Sequence, residues 1–134
     1  MITSQNVHAE LKAAFNARDY AKFGSLLHPE YSYMGGDGQV HAGGPSVGVG
    51  IAQMYAAAFP DAKLEVLTVL ASGNSAAAEY RATGTHQGDL FGIPPSGKSI
   101  DLQIANLIEL RDGLIYRERE YIDMNAMFTQ IGAR

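Results

Sequence analysis

Near residue 63 the hydrophobic period of the chain changes, and that change limits the fold more than any other feature. Before it, apolar residues recur at helical spacing; after it, they alternate. Val7, Leu11, Ala14 and Phe15 mark a first helical stripe, with Ser4 or Thr3 available as its cap. Asp19 opens a second helix carrying Tyr20, Phe23, Leu26 and Leu27. The His28-Pro29 pair stops it, because a residue before proline avoids the helical region. Tyr31 to Met34 reads as extended, GGDG as a turn and Gln39 to His41 as a returning strand. Gly44 and Pro45 suit the cap and first position of a third helix running through Ile51, Met54, Tyr55, Ala58 and Phe59. Segments 64–71, 75–86, 99–110 and 114–122 alternate as strands, separated by SGN, GDLFGIPPSGK and RDG. Asp123 caps a closing helix from Met124 to Ile131, with Gly132 just beyond it.

Helices followed by a run of antiparallel strands predict an α+β fold. The expected form is a cone-shaped, curved antiparallel sheet with three helices from the N-terminal half enclosing a pocket, plus a short C-terminal helix. At 134 residues the chain reads as one domain, 1–134, large enough for a core and a modest cavity. A site for an organic molecule calls for a few hundred Å3 (roughly 300 or more) of largely apolar space.

Ten Lys and Arg against 14 Asp and Glu leave a net charge of −4, which disfavours a nucleic acid partner. No apolar run has the roughly 20 residues a membrane-spanning helix needs, so no membrane partner is expected. The first fifteen residues lack the basic patch and apolar core of an export leader, so the expected location is cytoplasmic. The absence of cysteine excludes disulfides, a thiol nucleophile and cysteine-bound metals.

Polar residues on an otherwise apolar face are the candidates for chemistry. Ile100, Leu102, Ile104, Asn106, Ile108 and Leu110 share one face of the 99–110 strand, so Asn106 is expected to be buried. A buried amide without hydrogen-bond partners costs on the order of 1–3 kcal/mol, so a bulge, a neighbouring side chain or a ligand must satisfy it. In the 114–122 strand, Leu114, Tyr116, Glu118, Glu120 and Ile122 share one parity; Ile115, Arg117, Arg119 and Tyr121 share the other. Both faces are mixed. Glu118 and Glu120 therefore either enter the cone or sit at a solvated rim beside a ladder of Arg117, Arg119, Glu79 and Arg81. Burial and mutual repulsion drive a carboxyl group towards neutrality, which suits a general acid or base. Ala76, Ala78, Tyr80, Ala82, Gly84 and His86 alternate on the 75–86 strand, so Tyr80 and His86 are candidates to project into the space the small residues leave. Tyr31 and Tyr33 are candidates for the pocket mouth, and Met54 and Phe59 for its helical wall. Core packing is the alternative for each of them.

Two motifs fail on context. Gly44-Pro45-Ser46-Val47-Gly48 matches a nucleophile elbow, but the elbow needs a parallel α/β sheet. Gly48-Val49-Gly50 lacks the third glycine of a dinucleotide loop, and no Walker lysine follows. His8, His28, His41 and His86 show no metal-ligand spacing, so neither metal nor cofactor is expected.

The segments AAFNARDYAKFGSLLHPEY, AAAFPDAKLEV, GTHQGDLFGIPPSGKSI, RDGLIYREREYID and MFTQIG together resemble those of the SnoaL-like polyketide cyclases, over nearly the whole chain. The resemblance implies a nuclear-transport-factor-2-like cone, homodimerisation through the outer sheet face, and intramolecular aldol condensation of a polyketide ester without metal or cofactor. It also implies an acid/base aspartate on the last strand, at the position of Glu120, and an assisting histidine on the preceding strand, at Asn106. This tips Glu120 towards the pocket. Glutamate keeps the carboxylate but extends it by one methylene, while asparagine can hydrogen-bond an enolate oxygen but accepts no proton at neutral pH.

The expected function is therefore proton transfer beside a carbonyl of a small apolar polycarbonyl molecule, with Glu120 and Asn106 catalytic. Tyr33, Tyr80, His86, Glu118, Met54 and Phe59 are expected to bind the substrate. The rivals are a non-catalytic lipophilic-ligand or dimerisation module, and an isomerase, dehydratase or epoxide hydrolase on the same scaffold.

Overall fold

A computed structural model describes residues 1–133. Helices α1 (Val7–Asn16) and α2 (Tyr20–Ser25) lead into β1 (Leu27–Met34) and β2 (Val40–Ala42), followed by α3 (Pro45–Ala58). Four long strands follow: β3 (Lys63–Ser72), β4 (Ser75–Thr85), β5 (Ser99–Arg111) and β6 (Leu114–Tyr121), closed by α4 (Met124–Gln130). They form one six-stranded sheet in the order β2-β1-β6-β5-β4-β3. The architecture is the expected mixed α+β one, with an open curved sheet and a short C-terminal helix.

The caps follow the sequence chemistry with one change. Asp19 and Asp123 accept hydrogen bonds from the backbone N–H groups of Lys22 and Ala126, fixing the starts of α2 and α4. Gly44 caps α3 at a φ of +85°, where a Cβ would stand 2.6 Å from the Pro29 carbonyl oxygen. The first helix starts later than the Thr3/Ser4 cap predicts. Thr3 and Asn6 exchange backbone-to-side-chain bonds in a preceding turn, and regular helix begins at Val7.

Two departures from plain antiparallel alternation shape the sheet. β1 pairs with β6 in parallel, and Pro29 lies in the stretch between Leu27 and Ser32 where their register shifts. Pro29 has no N–H to offer a ladder, so an irregular stretch is where it fits. A second shift lies between Glu109 and Leu110, which pair with Arg117 and Ile115 and leave Tyr116 as the extra residue of β6. The bulge changes parity: Ile115 is fully buried on the same side as Glu118, while Arg117 is exposed. The mixed pattern of this strand is thus two clean patterns joined at Tyr116.

The apolar interior is divided. One cluster joins α1, α2 and β1 through Leu11, Phe15, Phe23 and Tyr31. The other joins α4 to β4 and β5 through Phe59, Tyr80, Leu102, Ile104 and Met127. Between them the sheet and helices leave a hollow. Among the described residues, no helix is long and apolar enough to cross a membrane.

Candidate active site

Beyond the Tyr116 bulge, Glu118 and Glu120 both face the interior and line this hollow. β1 supplies their partners. Tyr33 is level with Glu118, and its hydroxyl reaches two residues further along β6, to Glu120. The Tyr31 hydroxyl donates to Glu118 Oε1 at 2.6 Å, and the Tyr33 hydroxyl donates to Glu120 Oε2 at 2.5 Å. Burial, reinforced by the carboxylates, pushes both phenols well above their ordinary pKa. They remain protonated donors throughout the physiological range. Tyr55 of α3 is raised for the same reasons, burial first and then Glu120.

Gly48 permits this approach. A Cβ there would lie 2.5 Å from Leu27 and 2.9 Å from the Tyr31 ring, so α3 can sit this close to β1 only with glycine at that turn.

Behind Glu118 runs a buried relay. Asn106 Nδ2 donates to Glu118 Oε2 at 2.9 Å, and Asn106 Oδ1 meets His8 Nε2 at 3.0 Å. With the amide oxygen an acceptor, Nε2 must carry the proton. His8 is fully buried and its Nδ1 has no partner among the described residues. Burial first, then the Lys12 charge, hold its pKa below the ordinary histidine value, so the ring is neutral at pH 7. Glu118 thus has both oxygens hydrogen-bonded. Glu120 has one bonded oxygen, and its Oε1 accepts no hydrogen bond among the described residues.

The hollow has a volume of about 110 Å3, with Phe15, Phe23, Ala52, Tyr80, Leu102 and Met127 among its apolar walls. That is below the few hundred Å3 expected of an organic-ligand site. It adjoins an outer vestibule of about 950 Å3 through Tyr33, Ile51 and Tyr55, which line both. The vestibule is flanked by Met54, Phe91, Met124 and Phe128.

Glu118, Glu120, Tyr33, Tyr80 and Phe59 therefore gather on the hollow, and Met54 stands on the vestibule. Asn106 is buried as expected but does not line the hollow; its amide is taken up by His8 and Glu118. His86 stands apart, with Nδ1 3.0 Å from Ser96 Oγ and accepting from the Ser96 backbone N–H. Its ring packs against Phe59, and its backbone bonds tie the chain after β4 to Lys98 and Gly97. The small-residue face of β4 ends before this point, so His86 secures a loop instead of entering the hollow.

His8 and Lys12 were not among the sequence candidates. Their signal was present: they are polar residues one turn apart, adjoining Val7, Leu11 and Phe15 on the buried stripe of α1. Among the described residues no group of three or more His, Asp or Glu side chains is arranged to hold a metal ion.

Comparison with known proteins agrees with this fold. The model of the SnoaL-like polyketide cyclase family matches residues 5–131. The aklanonic acid methyl ester cyclase AcmA of Streptomyces galilaeus is 23% identical over 120 residues, 89% of this chain and 83% of AcmA. IdmH, a proposed polyketide cyclase of Streptomyces antibioticus, superposes with a TM-score of 0.83 at 26% identity, covering 98% of this chain and 99% of IdmH. A proposed SnoaL-like polyketide cyclase of Jannaschia sp. CCS1 superposes with a TM-score of 0.88 at 25% identity, covering 99% and 95%. The match to the family model spans all the strands and helices that build the site, and the chain belongs to the SnoaL-like polyketide cyclase family.

Proposed function

We propose that this chain is a cofactor-free enzyme that closes a ring by intramolecular aldol condensation, with Glu120 as the acid/base. The observation that carries the reading is a carboxylate on an apolar hollow with one oxygen held by the Tyr33 hydroxyl and the other unbonded. Family membership and the name of AcmA, a methyl ester cyclase, support it. In this reaction Glu120 Oε1 takes a proton from a carbon beside a carbonyl, and the C–H electron pair moves to the carbonyl oxygen as an enolate. As Glu120 becomes neutral, the Tyr33 hydroxyl is released to donate to that enolate oxygen. The enolate carbon then bonds to a second carbonyl carbon, whose oxygen recovers the proton from Glu120.

A positioned carboxylate contributes roughly 10²–10⁴ in rate, which suffices for a C–H already acidified by two carbonyls. The substrate class is therefore a small, largely apolar polycarbonyl molecule. Glu118, held on both oxygens, is fixed in place, and Asn106 positions it. Glu120→Gln should abolish turnover of such a substrate while leaving its binding largely intact; unchanged turnover ends the assignment.

The small volume of the hollow favours, as a second reading, a non-catalytic module for a lipophilic molecule. It predicts binding without turnover in the wild-type protein. We also propose homodimerisation through the outer sheet face, where Leu67, Leu70 and Tyr121 are exposed. Sedimentation of the wild type against Tyr121→Glu tests it, and a monomeric wild type removes it.

A further inference from the structure

Lys12 is the one cation that lines the hollow, and it is only 6% exposed. It projects from the buried stripe of α1, and its Nζ stands 4.0 Å from the centroid of the Tyr80 ring on β4. No carboxylate lies within ion-pair distance of it among the described residues. The face of one aromatic ring attracts a cation but satisfies none of its N–H donors. A buried ammonium without an anionic partner is unfavourable, and a pairing anion relieves it most. The two glutamates do not fill that role. Glu118 is engaged with Tyr31 and Asn106, and Glu120 with Tyr33, all on the β1–β6–β5 side. The hollow is therefore bipolar, acidic along β6 and cationic where α1 crosses β4.

We propose that Lys12 anchors a carboxylate carried by the ligand, so that the hollow selects a small, flat organic acid over its neutral analogues. Volume sets the size. At about 10–15 Å3 for each water-sized unit, 110 Å3 accommodates on the order of ten non-hydrogen atoms, or one ring with its substituent. A longer molecule would place its acidic end ring inside and extend past Tyr33 and Tyr55 into the vestibule. The acid group on Lys12 would then hold the opposite end of the ring at Glu120. The assignment rests on the hollow being the ligand site, as proposed above, and not on Glu120 being the base.

Benzoate and benzamide, matched in shape and differing in charge, test it by NMR titration of the whole wild-type protein. The glutamates oppose any anion, so the expected preference for benzoate is at the low end for a buried charge pair, about tenfold. Lys12→Met should abolish the preference, leaving benzoate and benzamide affinities within about twofold of each other, and it should fold, because it replaces a buried ammonium by an apolar side chain of similar length. Lys12→Gln gives the same comparison should the methionine variant misfold, and Lys12→Arg should keep the preference. No saturable benzoate binding, equal affinities in the wild type, or an unchanged preference without Lys12 overturns the proposal. The outcome is separable from that of Glu120. Benzoate preference with turnover insensitive to Glu120→Gln removes only the base, and the converse removes only the anchor.

Discussion

Asn106→Ala separates a positioning role for the amide from a catalytic one. The substitution removes the donor to Glu118 Oε2 and the acceptor for the His8 Nε2 proton, and both partners are buried. A hydrogen bond to a charged group is worth about 1.5–3 kcal/mol, and stranding a buried neutral donor costs about 1–3 kcal/mol. With partial relaxation of the cavity, a loss of roughly 2–5 kcal/mol is expected. A domain of this length has on the order of 7–20 kcal/mol to lose. At about 3–5 °C per kcal/mol, the melting temperature should fall by roughly 6–25 °C. Urea unfolding followed by circular dichroism gives the free energy, and a cycle with His8→Leu gives the coupling, expected at about 0.5–3 kcal/mol because the two side chains touch. An amide that instead held the enolate oxygen would be dispensable for folding. Destabilisation under about 1 kcal/mol, combined with collapse of turnover in a folded protein, would refute the relay.

Three further outcomes follow from the same geometry. His8 is held neutral in the fold with its pKa below the ordinary value, so the unfolded chain binds a proton first as pH falls. Stability should be full above about pH 6.5 and decline below it, by up to about 1.4 kcal/mol per pH unit, until the folded-state value is passed. Urea midpoints between pH 7.5 and 5 check this, and His8→Gln should flatten the decline; Asp61 and Asp101, whose carboxyls are held low by bonds from Thr85 and Arg81, act only below about pH 4. Tyr33→Phe should lower kcat at least about tenfold with a stability loss near 1 kcal/mol, since it removes one hydrogen bond and the donor for the enolate; a kcat unchanged within about twofold would place the enolate elsewhere. Gly48→Ala should destabilise by about 1–3 kcal/mol through its clash with Leu27 and Tyr31, and a melting temperature equal to wild type would mean that α3 can move away freely.

The parts of this molecule legible in its sequence are those where local chemistry and global packing agree. Alternation on β5 marked every inward residue, Asn106 included, because that strand pairs along its length with β4 without a register shift. The Asp19 and Asp123 caps were readable because each accepts from backbone three residues on, and Gly44 because Pro45 follows it at the first helical position. β6 was ambiguous for a physical reason. One extra residue at Tyr116 interchanges the faces, and that bulge is defined by pairing with β5 and β1, not by β6 alone. The partners of the glutamates were hidden for a related reason. Tyr31 and Tyr33 are 87 residues away from the carboxylates they bind, and a parallel β1–β6 pair has no local signature. His8 and Lys12 were visible as polar residues on an apolar stripe, but only the third dimension gives the first an amide and the second a ring face.

The bulge also accounts for the division of labour along β6. Had β6 continued in register from Ile115, Arg117 and Arg119 would face the interior and both glutamates the solvent. Reversing parity at Tyr116 brings in two carboxylates instead, at the cost of repulsion between them. The sheet answers this by placing one phenol of β1 against each, which keeps them apart by giving each its own donor. The donors are unequal, however. Glu118 has a second partner in Asn106, itself fixed by His8, so both of its oxygens are already hydrogen-bonded. Glu120, one pleat further towards the vestibule, has only Tyr33 and keeps an oxygen free. Chemistry at Glu118 would require breaking a buried network first, whereas chemistry at Glu120 requires only that a C–H arrive. On the proposed function, a substrate entering past Tyr33 and Tyr55 would meet the carboxylate that Tyr33 holds, so the order of access would match the order of reactivity.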